Sequence, residues 1–332
     1  MTIATDTEPD TPLLFARVLD GTGGGEAIDW PTLQQWQPGP GGQVLWMHLC
    51  RNQPGVYEWL QSHVGIPEPT AELLTSDETR PRAFREGNAL VATLRGINFN
   101  PGAEPEDMVS MQVWSDGGRI ITLRRHPLQT PRQILAQIDC GAGPGDAGAI
   151  VTALTEAMVA RMSQSIVDMN DVLDELEHDD PDEHAERMLK RISTIRRNCL
   201  GLKRHMAPQH EALEQISRDA PAWFEDHDRR EIAESIARLR RYLDDIDVSK
   251  ESAVVLMDEL RTRALSSNER ATYMLTIVAG IFLPLGFLTG LLGINVGGIP
   301  GVNDGHAFWW VAGICLAIIA VLMAIFKRLK WL

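Results

Sequence analysis

The sequence predicts an α+β membrane protein in three parts: an N-terminal α/β domain, a long helical stalk and two C-terminal transmembrane helices. Short apolar runs broken by turn-forming residues come first, which is typical of a mixed α/β domain. An almost unbroken helical pattern follows, and two long stretches without a charged residue come last. We therefore predict an α/β domain over 1–145, a helical stalk region over 146–270 and a membrane region from 271 onward.

Apolar or alternating runs in the first part predict β-strands. They cover Leu13–Leu19, Gln43–Cys50, Pro81–Arg85, Ala89–Arg95, Met108–Trp114 and Ile120–Arg124. Helical patterns cover Tyr57–Val64, Pro69–Leu74 and Pro131–Ile138. Asp116-Gly117-Gly118 is typical of a tight hairpin turn. The glycine-rich stretch 21–25 lacks the Lys-Ser/Thr pair of a phosphate-binding loop, so we interpret it as a flexible loop. The sequence contains no catalytic constellation, and an enzyme is not predicted.

The stalk region begins with a helix over Ile150–His178, which Pro181 should interrupt. A second helix is expected from Asp182 to Ser217, and Pro221 marks the next turn. From Ile232 the apolar positions alternate by fours and threes as in a coiled-coil seam. We expect one helix from about Glu225 to Leu292; two helices with a hinge at 266–268 are the alternative.

Two uncharged stretches, Ala271–Leu292 and Ala307–Phe326, are each about 20 residues long, enough to cross a bilayer core of ~30 Å. A short loop over 293–306 joins them, and a basic tail over 327–332 follows. Basic residues flank both outer ends, whereas the loop has no Lys or Arg. The positive-inside rule therefore places both termini in the cytoplasm and the loop outside, in an inner or plasma membrane. Residues 1–12 are polar, so no signal peptide is predicted.

One face of the first span consists mainly of small or weakly polar residues. This face comprises Thr272, Thr276, Ala279, Leu283, Gly286 and Gly290, with Leu275 beside it. Small residues at this spacing permit close helix packing, and the same face can border the water of a pore. Both interpretations stay open on the residues of this span alone. Pro284 lies within the span and should bend the helix.

Charge and cysteine content narrow the class of protein further. The chain has 31 basic and 45 acidic residues, a net charge of −14, which argues against a nucleic-acid partner and favours attraction of cations. The four cysteines are far apart, so neither a disulfide framework nor a zinc knuckle is expected. A two-helix hairpin cannot enclose an aqueous path alone, so a pore would require several copies of the chain.

Several residues are candidate cation ligands. The segment Asp168–Glu186 is rich in acidic residues, includes His178 and His184, and has no Lys or Arg; a plainly solvated helix tip is the alternative. Glu269 precedes the first span, whereas Asp304 and His306 lie in the outer loop. Each of these three residues could recruit cations to its end of the span. His205 and His210 are five residues apart, an awkward spacing for one metal, so we interpret them as surface histidines.

The stretch from Tyr273 to Pro300, with the ending Lys330-Trp331-Leu332, resembles the CorA superfamily of divalent-cation transporters, and its ZntB branch most. The superfamily hallmark Gly-Met-Asn corresponds here to Gly293-Ile294-Asn295. This resemblance implies a homopentameric funnel with an α/β/α domain at its rim and the first spans around the pore. The hallmark triplet would form the ion-selecting mouth, and the small-residue face of the first span would line the pore.

The resemblance further implies transport of Zn²⁺, with Cd²⁺, Ni²⁺ and Co²⁺ as further candidate ions and no cofactor. Uptake, with proton coupling as one form of it, is the leading interpretation, and zinc efflux is the alternative. Transport of Mg²⁺ or Co²⁺ is a second candidate, against which the replacement of the hallmark methionine argues. A membrane-tethered coiled-coil sensor is the alternative from another class. The expected partners are copies of this chain, the lipid bilayer and divalent cations.

Overall fold

The computed structural model divides the chain into two compact units, which meet in sequence between Met257 and Asp258. Side chains of residues 181–184, 264 and 267 are not described. The structure describes residues 11–38, 42–104, 106–178, 181–293 and 305–328.

A seven-stranded mixed sheet forms the centre of the first unit, in the order β2-β1-β3-β7-β6-β5-β4. The strands are β1 Leu13–Leu19, β2 Gly25–Ala27, β3 Val44–Cys50, β4 Arg82–Glu86, β5 Ala89–Gly96, β6 Val109–Ser115 and β7 Arg119–Arg124. Strands β3 and β7 pair in parallel, and the other neighbouring strands pair antiparallel. Central strands β3 and β6 are buried along their whole length, as expected for a sheet covered on both faces.

Helices cover both faces of this sheet and make an α/β/α sandwich. The short helices are α1 Trp30–Gln35, α2 Val56–Trp59 with a π-helical continuation Leu60–Val64, α3 Glu68–Thr75 and α4 Gln129–Asp139. On one face, Leu33, Trp59 and Leu74 join sheet residues in a single apolar core. On the other face, α5 (Ala147–His178) packs against β5, and α6 (Pro181–Arg218) packs against β4 and β5. The predicted fold class is confirmed for this domain.

Two short elements were missing from the sequence expectations. Strand β2 pairs at the sheet edge with β1 and begins at Gly25, the last residue of the glycine-rich stretch that we interpreted as a loop. The Asp20 carboxylate organises that loop by accepting from the backbone N–H groups of Thr22 and Gly24, at 2.7 and 3.0 Å. Helix α1 begins after Asp29, which caps it through the N–H of Thr32 at 3.0 Å.

The predicted hairpin turn at Gly117 joins β6 to β7 and receives a side chain from far along the chain. Gly117 has φ of +92°, and a Cβ there would lie 2.6 Å from Cγ of Trp223. The indole N–H of Trp223 donates to the carbonyl of Asn88 at 2.8 Å. Trp223 therefore fixes the segment between α6 and the next helix against two turns of the sheet.

The longest helix, α7, spans Asp226–Leu292 and contains 67 residues. It continues through 266–268, so one uninterrupted helix is present and the two-helix alternative is wrong. The predicted seam is buried at Ile232, Leu239, Ile246 and Ala253. Near it, Ser249 donates to Asn170 on α5 at 2.6 Å, and Lys203 on α6 pairs with Asp247 at 2.6 Å. Between Ile232 and Ala253 the seam is therefore occupied by helices of the same chain.

The second unit contains the C-terminal part of α7 and a further helix, α8, over Ala307–Arg328. Both are long and apolar enough to cross a membrane, and the most apolar segment of each helix is not buried within the described chain. Trp309 and Trp310 near the start of α8 are each 72% exposed. Large exposed apolar surfaces of this kind are typical of contacts with lipid or with another protein.

Candidate ion pathway

The membrane part of α7 has one face directed towards α8. Along this face the residues are partly buried at helical spacing: Ile277, Gly280, Ile281, Leu285 and Leu288. A Cβ at Gly280 would lie 3.2 Å from Cζ of Phe326, which is the buried residue near the end of α8. The absence of a side chain at Gly280 therefore permits close contact between the two helices.

The opposite face of α7 is the predicted small-residue face. Thr272, Thr276, Leu283, Gly286 and Gly290 are exposed, and Ala279 is partly buried. Leu283 and the adjacent Leu275 are 71% and 69% exposed. A Cβ added at Gly286 or Gly290 would meet no described atom within 4 Å. Around Gly286 and Gly290 this face therefore has open space within the described chain, which water, lipid or other copies could occupy.

The threonine hydroxyls on α7 have a defined direction. Thr276 Oγ1 donates to the carbonyl of Thr272 at 2.8 Å, and Thr289 Oγ1 donates to the carbonyl of Leu285 at 2.9 Å. Because each hydroxyl hydrogen is used within the helix, the oxygen lone pairs stay available as acceptors. Acceptor oxygens of this kind suit the water shell of a cation.

A groove lies at the start of the first span. It has a volume of about 380 Å³ and is lined by Leu265, Asn268, Glu269, Thr272, Tyr273 and Thr276. The predicted recruiting residue Glu269 is therefore close to the first two threonines of the small-residue face. One carboxylate and two hydroxyls follow one another along this side of the helix.

At the other end of the span, the Gly293 N–H donates to the carbonyls of Thr289 and Gly290, at 2.9 and 3.2 Å, which closes the last turn of α7. The other predicted mouth residues, Ile294 and Asn295, lie outside the described residues, as does Asp304. His306 is exposed, and its carbonyl accepts from the N–H of Trp309 at 3.0 Å at the start of α8.

The histidine candidates near the acidic turn do not form a described metal centre. His178 ends α5, is exposed, and its Nδ1 lies 2.8 Å from the Asp174 carbonyl oxygen, to which the ring N–H donates. His184 belongs to α6, but its side chain is outside the described set. Across the described ranges, no group of three or more His, Cys, Asp or Glu side chains is arranged to hold a metal ion.

His205 departs from the sequence expectation of a surface histidine. It is half-buried, and its Nε2 lies 3.2 Å from Nη1 of Arg95 on β5, which donates to it. Burial, with the charges of Arg95 and Arg204, lowers the pKa of His205 to about 4. The imidazole is therefore neutral at physiological pH. Only the packing of α6 against the sheet reveals this environment.

Fold and candidate pathway together define an integral membrane protein with an N-terminal α/β domain and a two-helix membrane region. The family model "CorA-like Mg2+ transporter protein" matches residues 41–328. The chain belongs to this CorA family and is a transporter of divalent cations, not an enzyme.

Individual relatives are similar over nearly the whole chain. The divalent cation transporter CmaX of Pseudomonas aeruginosa is 36% identical over 99% of both chains. The zinc transport protein ZntB of Yersinia pseudotuberculosis is 32% identical over 96% of both. The solved structure of full-length CmaX covers 98% of this chain and 100% of its own, with a TM-score of 0.84 and 35% identity. The length and order of the elements are thus shared with a complete relative.

Proposed function

We propose that this protein carries Zn²⁺ into the cytoplasm through a homopentameric pore lined by the membrane part of α7. The observation that carries the proposal is the exposed small-residue face of α7, opposite the face directed towards α8. Within the described part of one chain, the space beside Gly286 and Gly290 on this face is open. Copies arranged around a common axis would place it along a central aqueous path, with the α8 helices outside.

The lining would suit a hydrated cation. Threonine oxygens would act as acceptors, glycines would leave room, and Leu283 with Leu275 would form apolar constrictions able to gate by dewetting. At the outer mouth, Gly293, Ile294 and Asn295 would select the ion. A ring of Asn295 amide oxygens would hold the cation through its water shell without the tighter binding of a carboxylate ring.

Two observations support zinc as the ion. The relative ZntB is named as a zinc transport protein. In addition, Ile294 stands where the Gly-Met-Asn hallmark of the CorA superfamily has methionine. Cd²⁺, Ni²⁺ and Co²⁺ are further candidate ions. Transport of Mg²⁺ is the second candidate function, since the matching family model carries that ion in its description.

The membrane potential favours uptake. An inside-negative potential of 100 mV stabilises an entering divalent ion by about 4.6 kcal/mol, since each charge contributes ~2.3 kcal/mol. Arg261, Arg263 and Arg270 before the first span, with Lys327 and Arg328 after the second, support cytoplasmic termini in the inner membrane. Neither span contains a carboxylate or histidine, so any proton coupling would involve Glu269, Asp304 or His306 at its ends.

Zinc entry into proteoliposomes tests the proposal. Purified full-length protein would be reconstituted with an internal zinc indicator, and flux measured with and without an inside-negative potential and a pH gradient. Asn295→Ala should lower Zn²⁺ flux at least tenfold, whereas Asn303→Ala, in the same loop, should leave it near the wild-type value. Equal flux from the Asn295 variant would remove the role given to the mouth.

Two further readouts separate the alternatives. Mg²⁺ entry exceeding Zn²⁺ entry under equal gradients would favour the second candidate function. Native mass measurement of the protein in detergent and in lipid nanodiscs should give a pentamer. A monomer under both conditions would overturn the pore.

A further inference from the structure

A polar cavity lies where the two parallel strands of the sheet end. Arg51 directly follows β3, and Arg125 directly follows β7. The Arg51 N–H donates to the carbonyl of Arg124 at 3.0 Å, which holds the two strand ends together. The cavity has a volume of about 400 Å³. Ligands of open α/β sheets commonly bind outside the carboxyl ends of parallel strands, and cavities of roughly 300–1,000 Å³ accommodate small molecules.

Arg51 places a buried positive charge at this cavity. Its side chain is 2% exposed, and its Nη groups donate to the Ser76 carbonyl and, at 3.4 Å, to Oδ1 of Asp77. Its Nε is buried and has no hydrogen-bond partner among the described residues. Burial lowers the pKa of this guanidinium and the Asp77 charge raises it, but an arginine stays charged. A charge this buried requires a close counter-ion.

Asp77, the counter-ion of Arg51, is exposed to solvent and shared with a second arginine. A single carboxylate oxygen serves two guanidiniums, since Nη1 of Arg125 also donates to Oδ1, at 2.5 Å. The Asp77 side chain is 80% exposed, and exposed ion pairs contribute little to stability. A ligand oxyanion with several oxygens could pair with both guanidiniums at once, which one shared carboxylate oxygen does less well.

Acidic residues also line the cavity. Glu106 and Asp107 line it, and Glu106 Oε2 is buried without a partner in the described part of the chain. An acceptor in this position requires a hydrogen-bond donor. The guanidinium of Arg95, also in the lining, donates to the carbonyls of Thr79 and Met108, at 2.8 and 3.1 Å, and is therefore fixed in place.

We infer that this cavity binds a phosphate monoester of a polar metabolite, with the phosphate displacing Asp77 between Arg51 and Arg125. Hydroxyl or amino groups of the organic part would donate to Glu106 and Asp107. A free phosphate ion would satisfy only the two arginines, and its charge would gain nothing from Glu106 and Asp107. All residues that line the cavity belong to the first unit, so we expect its ligand to be a cytoplasmic regulator that acts on the N-terminal domain.

Isothermal titration calorimetry on the full-length protein in detergent, without zinc, tests this inference. The probes are ribose 5-phosphate, inorganic phosphate and ribose. Ribose 5-phosphate should bind at least tenfold more tightly than inorganic phosphate, and ribose should give no heat of binding. If inorganic phosphate binds as tightly as the ester, the assignment of the organic part is wrong.

Two variants probe the arginine end, and each has a matched control. Arg125→Gln should weaken ribose 5-phosphate binding at least tenfold, and Asp77→Asn should strengthen it severalfold because the internal competitor is lost. The ion pair of Arg85 with Asp219 is also exposed, at 43% and 54%, and neither residue lines the cavity, so Arg85→Gln and Asp219→Asn serve as controls and should bind as wild type. No binding by either wild type or Asp77→Asn, or unchanged affinity in Arg125→Gln, overturns the inference. Transport is not measured, so failure here is distinct from failure of the pore.

Discussion

The carboxylate of Asp228 lies directly against the backbone of Gly148, so that a Cβ on Gly148 would lie 2.0 Å from Oδ2 of Asp228. Gly148 is in the first turn of α5, and Asp228 is in the first turn of α7. The same Oδ2 accepts from the N–H of Glu225 at 2.8 Å, which caps the start of α7. This contact therefore ties together the N-terminal ends of two long helices.

Gly148→Ala should destabilise the N-terminal domain by about 1–3 kcal/mol, because the added methyl group overlaps the Asp228 carboxylate. The midpoint of thermal unfolding of the detergent-solubilised protein measures the effect. Gly313→Ala, a helical glycine with open space around it, is the control and should not lower the midpoint. Equal midpoints for Gly148→Ala and wild type would contradict the tight contact.

Asp228 should make stability depend on pH. Burial first, and then the neighbouring acidic groups Asp146, Glu231 and Glu225, raise its pKa from the ordinary 3.8 to about 6. Because the folded state holds the Asp228 proton more tightly than the unfolded state does, the contribution of Asp228 to the free energy of unfolding falls as the pH rises from about 4 to 6. Above pH 6 this contribution no longer changes. The difference corresponds to about 2–3 kcal/mol.

Asp228→Asn removes this titration while an amide oxygen can still accept from Glu225. The variant should be more stable than wild type above pH 6 and should lose the decline between pH 4 and 6, as measured by unfolding midpoints across that range. Asp226→Asn, an exposed neighbour in the same turn, should keep the wild-type pH profile. A wild-type profile in Asp228→Asn would show that another group is responsible.

Gly286→Val tests which side of the membrane helix borders the ion. A side chain at Gly286 meets no described atom within one chain, and the same holds at Gly313 on α8. Since the proposed pore needs space only at Gly286, its valine variant should lose at least tenfold in Zn²⁺ flux in proteoliposomes. Gly313→Val should transport as wild type. Both variants should assemble normally, and similar flux from the two would argue against the assigned face.

Gly117→Ala should destabilise the first unit by about 1–3 kcal/mol, since alanine is strained at a φ of +92° and its methyl group would overlap Trp223. Gly87→Ala separates the two causes. Gly87 also has a positive φ, of +61°, but open space around it. The difference between the two unfolding midpoints measures the Trp223 contact, and no difference would mean that backbone strain accounts for the whole loss.

Much of the fold was readable from local patterns. Strand β1 was predicted at its observed bounds, and Pro181 and Pro221 separate helices where expected. These features have local causes: side-chain alternation, turn residues and the missing N–H of proline. Strand β2 was missed because its three residues show too little alternation and form a strand only through pairing with β1.

The two candidate sites differ in how far the sequence predicted them. The small-residue face of α7 was visible in the helical spacing, but only the contact of Gly280 with Phe326 distinguishes it from the face packed on α8. The cavity between Arg51 and Arg125 had no sequence signal. Those residues are far apart in the chain, and the parallel pairing of β3 with β7, a long-range event, brings them together.

Pro284 follows Gly280 by one turn within the first membrane helix. Because proline has no N–H, it cannot donate to the Gly280 carbonyl, and the helix lacks one backbone hydrogen bond there. Phe326 lies beside Gly280, and the partly buried residues Leu285 and Leu288 continue the same face beyond Pro284. Because a missing backbone hydrogen bond favours a bend, we expect α7 to bend at Pro284. In the proposed pore, such a bend would displace the segment between Pro284 and Gly293 relative to the segment beside Phe326.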